Sequence, residues 1–194
     1  MPDCASRTPS SRIALGTSRL RSAGGGLDQA QAVRFVQAAF DLGVTTFDTA
    51  NIYGQGDAER ALGVALASRR DSVCLSTKVG YEMPAVVSGA RALKPFVRMM
   101  ATRLPIVRRA SQALRGRAGN GRVEDVGALT VAARESLARL RTDHVDVLYL
   151  HSPERVTEPL VAFLSDAVSS GLCRKAGVAV ADVDVAREWA RTGV

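Results

Sequence analysis

Chemically versatile side chains are scarce in these 194 residues, which hold two histidines, three cysteines, one tryptophan and only 5% aromatics. The three cysteines, Cys4, Cys74 and Cys173, are an odd set without metal-ligand spacing, so neither a disulfide framework nor a zinc site is expected. Cys74 lies in an apolar run and Cys173 just before one, and both read as reduced core thiols. No apolar stretch reaches the ~18 residues that span a bilayer, so no transmembrane segment is expected. Residues 1–11 are rich in Ser, Pro and Arg and lack the apolar centre of a signal peptide, which marks them as a disordered tail on a cytoplasmic protein. Acidic residues are absent between Glu82 and Glu124, where Arg91, Lys94, Arg98, Arg103, Arg108, Arg109, Arg115, Arg117 and Arg122 fall. That one segment more than accounts for the net charge of +7, so the charge is a local patch. No aromatic-interleaved motif accompanies it, and no nucleic-acid partner is expected.

What is present is an ordinary globular composition, 46% apolar and 23% charged, long enough for one domain with a good core. Short β-branched apolar runs predict buried strands at 12–15, 44–47, 72–77, 145–150 and 175–180. Helical spacing follows each of them. Val33, Val36 and Phe40 share one face, with Asp28 as N-cap and Gly43 just past the end. Ala61, Leu62, Ala65 and Leu66 repeat the pattern, and Val131, Leu137 and Leu140 continue it. Leu160, Phe163, Leu164 and Ala167 follow Thr157-Glu158-Pro159 and stop at Gly171, while Val185, Ala186 and Trp189 begin the last helix.

Five strands, each followed by a helix, imply an α/β fold with parallel pairing through helical crossovers. Strands apolar on both faces fit a sheet covered on both sides. An open doubly wound sheet and a (β/α)8 barrel both satisfy this pattern. One connection breaks the rhythm, because nearly fifty residues separate the third strand from its helix. This insertion, 81–126, is expected to form one or two amphipathic basic helices broken at Pro105, resting over or beside the strand ends.

Parallel α/β folds place their chemistry at the carboxyl ends of the strands. The second strand delivers Asp48 there, with Tyr53 one turn on; the third delivers Lys78 and the fourth His151. These types work together. A tyrosine titrates near ~10, too high for an efficient proton donor at neutral pH, and an adjacent ammonium lowers that value. A carboxylate holds the lysine charged, and a neutral histidine can donate a hydrogen bond to a carbonyl oxygen. The set suits protonation of a carbonyl while something else delivers hydride. His144 lies at the opposite end of the same strand and is set aside. Asp143 and Asp146 read as turn and capping residues, and Glu59 as a helix N-terminal carboxylate near the site.

Gly43-Val44-Thr45-Thr46-Phe47-Asp48-Thr49-Ala50-Asn51-Ile52-Tyr53-Gly54, then Glu59-Arg60-Ala61-Leu62-Gly63, resembles the signature of the aldo-keto reductases. Ser76-Thr77-Lys78-Val79-Gly80 resembles that family's lysine strand, and 137–151 its third helix and histidine strand. The resemblance implies a partial (β/α)8 TIM barrel over 12–194, with five parallel strand–helix units and the basic insertion after the third strand. It also implies NADPH- or NADH-dependent reduction of aldehyde or ketone carbonyls to alcohols. Tyr53 would be the general acid, Lys78 its modulator, Asp48 the lysine's partner and a ribose contact, and His151 the carbonyl-orienting group. The backbone at Gly16 and Thr17 would lie near the nicotinamide ribose. No metal is implied.

Two departures temper this expectation. A barrel needs eight units, and the chain supplies five. The family usually ends its fifth strand Gly-Val-Ser-Asn, where this sequence reads Gly177-Val178-Ala179-Val180. Activity is therefore expected to be impaired in this chain alone. The alternative is an inactive binding or structural module. Unpaired first and fifth strands would favour self-association or a second chain that completes the barrel.

Overall fold

The computed structural model describes residues 13–20, 27–82 and 121–193. Five strands form one parallel sheet: β1 (Ala14–Gly16), β2 (Thr46–Asp48), β3 (Cys74–Val79), β4 (Val145–His151) and β5 (Cys173–Ala179). Between and after them run α1 (Gln29–Asp41), α2 (Asp57–Ala65), α3 (Val126–Leu140), α4 (Glu158–Ser169) and α5 (Val183–Ala190). A 3-10 turn, Ala67–Ser72, links α2 to β3. The expected tail at 1–11 and the interior of the basic insertion lie outside the described residues. None of the helices described is long and apolar enough to cross a membrane.

Local chemistry sets the helix limits. Asp28 accepts from the Gln31 amide at 2.7 Å, and the Gln31 side chain accepts from the Asp28 amide at 2.9 Å, a reciprocal cap on α1. Gly43 and Gly171, just past α1 and α4, take φ of 92° and 77°, a left-handed turn that suits glycine. The apolar stripe of α3 differs from the sequence reading. Leu129, Ala133, Leu137 and Leu140 face the core, and Val131 is 57% exposed. At about 100° per residue, a position two places from Leu129 and from Ala133 points away from both.

The strand order β1-β2-β3-β4-β5 decides between the two architectures the sequence left open. A doubly wound sheet reverses direction at a switch point, and this one never does. With right-handed crossovers throughout, every helix falls on the same side, as in a barrel wall. Successive helices also touch in chain order, α1 with α2, α2 with α3 and α3 with α4. The molecule is therefore five consecutive units of a (β/α)8 barrel.

Two faces result, and side-chain alternation assigns them. The helix-facing side buries Phe47, Leu75, Thr77, Val79, Leu148 and Leu150. The inner side carries Asp48, Ser76, Lys78, Tyr149 and His151, linked by the register that pairs Asp48 with Ser76 and Lys78 with Tyr149. Asp146, read from sequence as a turn residue, is instead a buried strand residue of β4. Its carboxylate lies 3.0 Å from Arg70 and 3.1 Å from Arg174, and it accepts from the Leu75 amide at 2.9 Å. A carboxylate on the helix-facing side survives there because two guanidiniums and an amide replace its water. Cys173 is a free buried thiol, pushed up to about 11 by burial. Cys74 corrects the sequence reading: it is disulfide-bonded, a pairing that residue spacing does not reveal.

Candidate active site

Three strands end at one rim, and their inner-face side chains meet. Lys78 Nζ donates to both carboxylate oxygens of Asp48 at 2.6 Å and to the Thr49 carbonyl at 2.9 Å. Ser76, two residues earlier on the same face of β3, donates to Asp48 Oδ1 at 2.8 Å. The lysine is almost fully buried, while the Asp48 side chain keeps 33% of its surface open. Lys78 Nζ also lies 5.5 Å from the centroid of the Tyr53 ring. The Tyr53 and His151 rings stand edge to face with centroids 6.4 Å apart. Asp48, Tyr53, Lys78 and His151 thus share one rim. Ser76 joins them, and its place two residues before Lys78 was the available signal.

The electrostatics differ from the expectation in one respect. The Tyr53 phenol sits above its ordinary value of 10.0, raised first by burial and then by the Asp48 charge. Burial and the Asp48 charge thus outweigh the ammonium, which Asp48 holds with both oxygens at 2.6 Å. His151 is held below 6.5, first by burial and then by the Lys78 charge, with Asp48 opposing. Both effects favour the neutral imidazole, and its buried Nδ1 has no hydrogen-bond partner among the described residues.

Gly16 and Thr17 sit beside Asp48 but are not equivalent. Thr17 is fully buried; its amide and its hydroxyl both donate to the Asp48 carbonyl, at 3.0 and 2.9 Å, and its own carbonyl accepts from Leu20. Its polar groups are engaged within the protein. Gly16 pairs with Asp48 in register, and a Cβ built there would meet nothing within 4 Å. Room for a ligand beside Asp48 is thus found at Gly16. The three groups set aside are accounted for. His144 pairs with Asp143 at 2.7 Å at the far end of β4. Glu59, fully buried in the first turn of α2, accepts from Thr77 at 2.7 Å and from Arg139 at 2.5 Å.

The sequence pattern of the aldo/keto reductase family matches residues 12–194. The chain belongs to the aldo/keto reductase family. A 6-dehydroglucose reductase of Novosphingobium aromaticivorans is 34% identical over 179 residues, covering 87% of this chain and 47% of that protein. The holo form of an aldo-keto reductase from Bacillus halodurans superposes with a TM-score of 0.66 at 24% identity, over 93% of this chain and 49% of that one. An aldo/keto reductase from Klebsiella pneumoniae, solved with NADP and acetate, gives 0.60 at 25% identity, over 92% and 49%. The chain thus spans about half the length of these relatives. β5 ends at Ala179, and neither it nor the following Val180 carries a polar side chain. The backbone there is engaged too: the Ser152 amide donates to the Ala179 carbonyl at 2.8 Å.

Proposed function

We propose that this chain carries the proton-donating and carbonyl-orienting part of an NADPH- or NADH-dependent reductase of aldehydes or ketones. The observation that carries the reading is the grip of Asp48 on Lys78 at 2.6 Å, at the rim shared by Tyr53 and His151. The residues fit a dinucleotide at its ribose end: Gly16 leaves space, and the partly open Asp48 carboxylate is a hydrogen-bond acceptor beside it. When bound, the reduced nicotinamide supplies hydride to the carbonyl carbon.

The remaining steps belong to the chain's own side chains. His151, neutral and half-buried, donates one N–H to the substrate oxygen and orients it. Tyr53 transfers its phenolic proton to that oxygen as charge develops, a contribution of ~10²–10⁴-fold for a well-placed acid. Asp48, by accepting a ribose hydroxyl on its open side, spreads its charge and weakens the field that keeps the Tyr53 proton in place. Lys78, fixed by Asp48, Thr49 and the wall of β3, keeps a positive charge near the phenolate that remains.

The second reading, an inactive binding module, is favoured by Ala179 and Val180, which offer no side-chain hydrogen bond to the carboxamide end. We further propose that a second copy or another polypeptide segment pairs with the open edges of β1 and β5, each of which has one strand neighbour among the described residues. Two measurements separate the readings. NADPH at a hundred times its Kd should add about 2.7 kcal/mol of stability; no stabilisation at millimolar NADPH favours the inactive module. In a steady-state assay on a panel of aldehydes, turnover should be weak for this chain alone and absent in Tyr53→Phe. Turnover that persists unchanged in that variant would remove Tyr53 from the mechanism.

A further inference from the structure

A second tyrosine lies against the same imidazole, outside the four residues just discussed. Tyr81 follows the end of β3, and its ring meets His151 edge to face with centroids 4.9 Å apart, closer than Tyr53 at 6.4 Å. Its position is fixed from several sides. It forms an antiparallel bridge with Arg122, flanked by the Glu82 amide donating to Gly121 and the Val123 amide donating to Gly80, both at 2.9 Å. Asn51, almost fully buried, donates to the Tyr81 carbonyl at 3.3 Å. Ser152 and Arg122 lie on the side of the phenol and favour its ionised form, and Arg122 is itself ion-paired to Glu154.

Two backbone features show how tightly this corner is drawn. Gly80 takes φ of 132°, and a Cβ there would come within 3.0 Å of the His151 carbonyl and 3.2 Å of its amide. Ser152 adopts φ of 54°, uncommon for a residue other than glycine. The chain thus keeps an unfavoured backbone state in the residue that follows His151.

We infer that Tyr81 is a positioning residue for His151, its ring walling the imidazole and its backbone held by the bridge to Arg122 and by Asn51. The inference rests on the role proposed for His151, but it is tested without turnover. Without the ring wall, water reaches the imidazole and the burial that keeps it neutral is relieved. The charged groups bearing on His151 are Lys78 from β3 and Asp48 from β2, with Arg122 and Glu154 beyond Tyr81; none changes in the Tyr81 variants below.

Because the chain holds two histidines and three tyrosines, every one of these groups can be followed individually. NMR titration of the two imidazoles should show the His151 midpoint moving up toward 6.5 in Tyr81→Leu and Tyr81→Ala, and staying in place in Tyr81→Phe, which keeps the ring. His144, at the far end of β4, is the internal control and should not move. In Arg122→Met, ultraviolet titration should show the Tyr81 phenol rising toward 10.0, since Arg122 and Ser152 hold it below that value. Emission of the single Trp189 checks that each variant is folded. An unmoved His151 in both the Leu and Ala variants overturns the inference, as does an equal movement of His144, which would mean general loosening. Movement of His151 alone supports it. If the parent protein then reduces no carbonyl with any nicotinamide, the function proposed above fails and the positioning role stands.

Discussion

Among the described residues, Lys78 gives its short contacts to Asp48 and Thr49, and Tyr53 feels burial and the Asp48 charge. Asp48 raises the phenol, so neutralising Asp48 should lower it; the sign follows because a nearby negative charge penalises only the phenolate. Asp48→Asn is expected to move the Tyr53 titration down, read as phenolate absorbance near 295 nm with Tyr53→Phe to assign it. An upward or absent shift would remove Asp48 as the source of that field. His151 gives a second expectation. Its folded value lies below 6.5, so as pH falls the unfolded chain takes up the proton first, and stability declines as pH drops through 6.5 toward the folded value. His151→Gln should flatten the fall in Tm between about pH 7.5 and 5.5. The identity of these residues was legible in the sequence, because polar side chains at the ends of apolar strands are conspicuous. Their charge balance was not, since it depends on which partner the ammonium chooses in three dimensions.

Between α2 and α3 the backbones approach so closely that a Cβ on Gly63 would come within 2.5–2.8 Å of backbone atoms of Arg139 and Leu140. Gly63→Ala must separate the two helices, and overpacking of this kind costs about 1–3 kcal/mol, measurable as a lower urea midpoint. One turn earlier, the fully buried Glu59 holds Arg139 and Thr77. Glu59→Ala leaves Arg139 with Glu135 and Ser136 but removes its buried partner and the acceptor of Thr77, and is expected to cost about 2–3 kcal/mol, whereas breaking the exposed Arg187–Asp184 pair should change the midpoint immeasurably. A comparable loss in both variants would show that burial does not govern these pairs. The helices themselves were readable from periodicity: Leu160, Phe163, Leu164 and Ala167 are all buried as spaced. Val131 and Asp146 were misread for opposite reasons. An apolar residue was credited to a stripe it does not belong to, and a charged one was denied a core that two arginines from elsewhere in the chain make tolerable.

A single cluster of buried side chains runs from Leu20 to Trp189, so the units described share one core. Trp189, buried at 2%, reports from the last of them. Its emission change in urea should coincide with the loss of helical circular dichroism, as cooperative unfolding requires; an earlier tryptophan transition would mean that α5 and β5 detach first. Sequence patterning alone could not choose the barrel over an open sheet, because strand order is a property of pairing and not of periodicity. That order has a consequence for how the molecule is made. Each strand's hydrogen-bonded neighbours are also its neighbours in the chain, so a unit leaving the ribosome finds its docking surface already synthesised. Asp48 precedes Lys78 by 30 residues, roughly 1.5–6 s of translation at 5–20 residues per second. Until Lys78 is made the carboxylate has no ammonium to hold, so the pocket can acquire its ion pair only in the order in which the chain is read out.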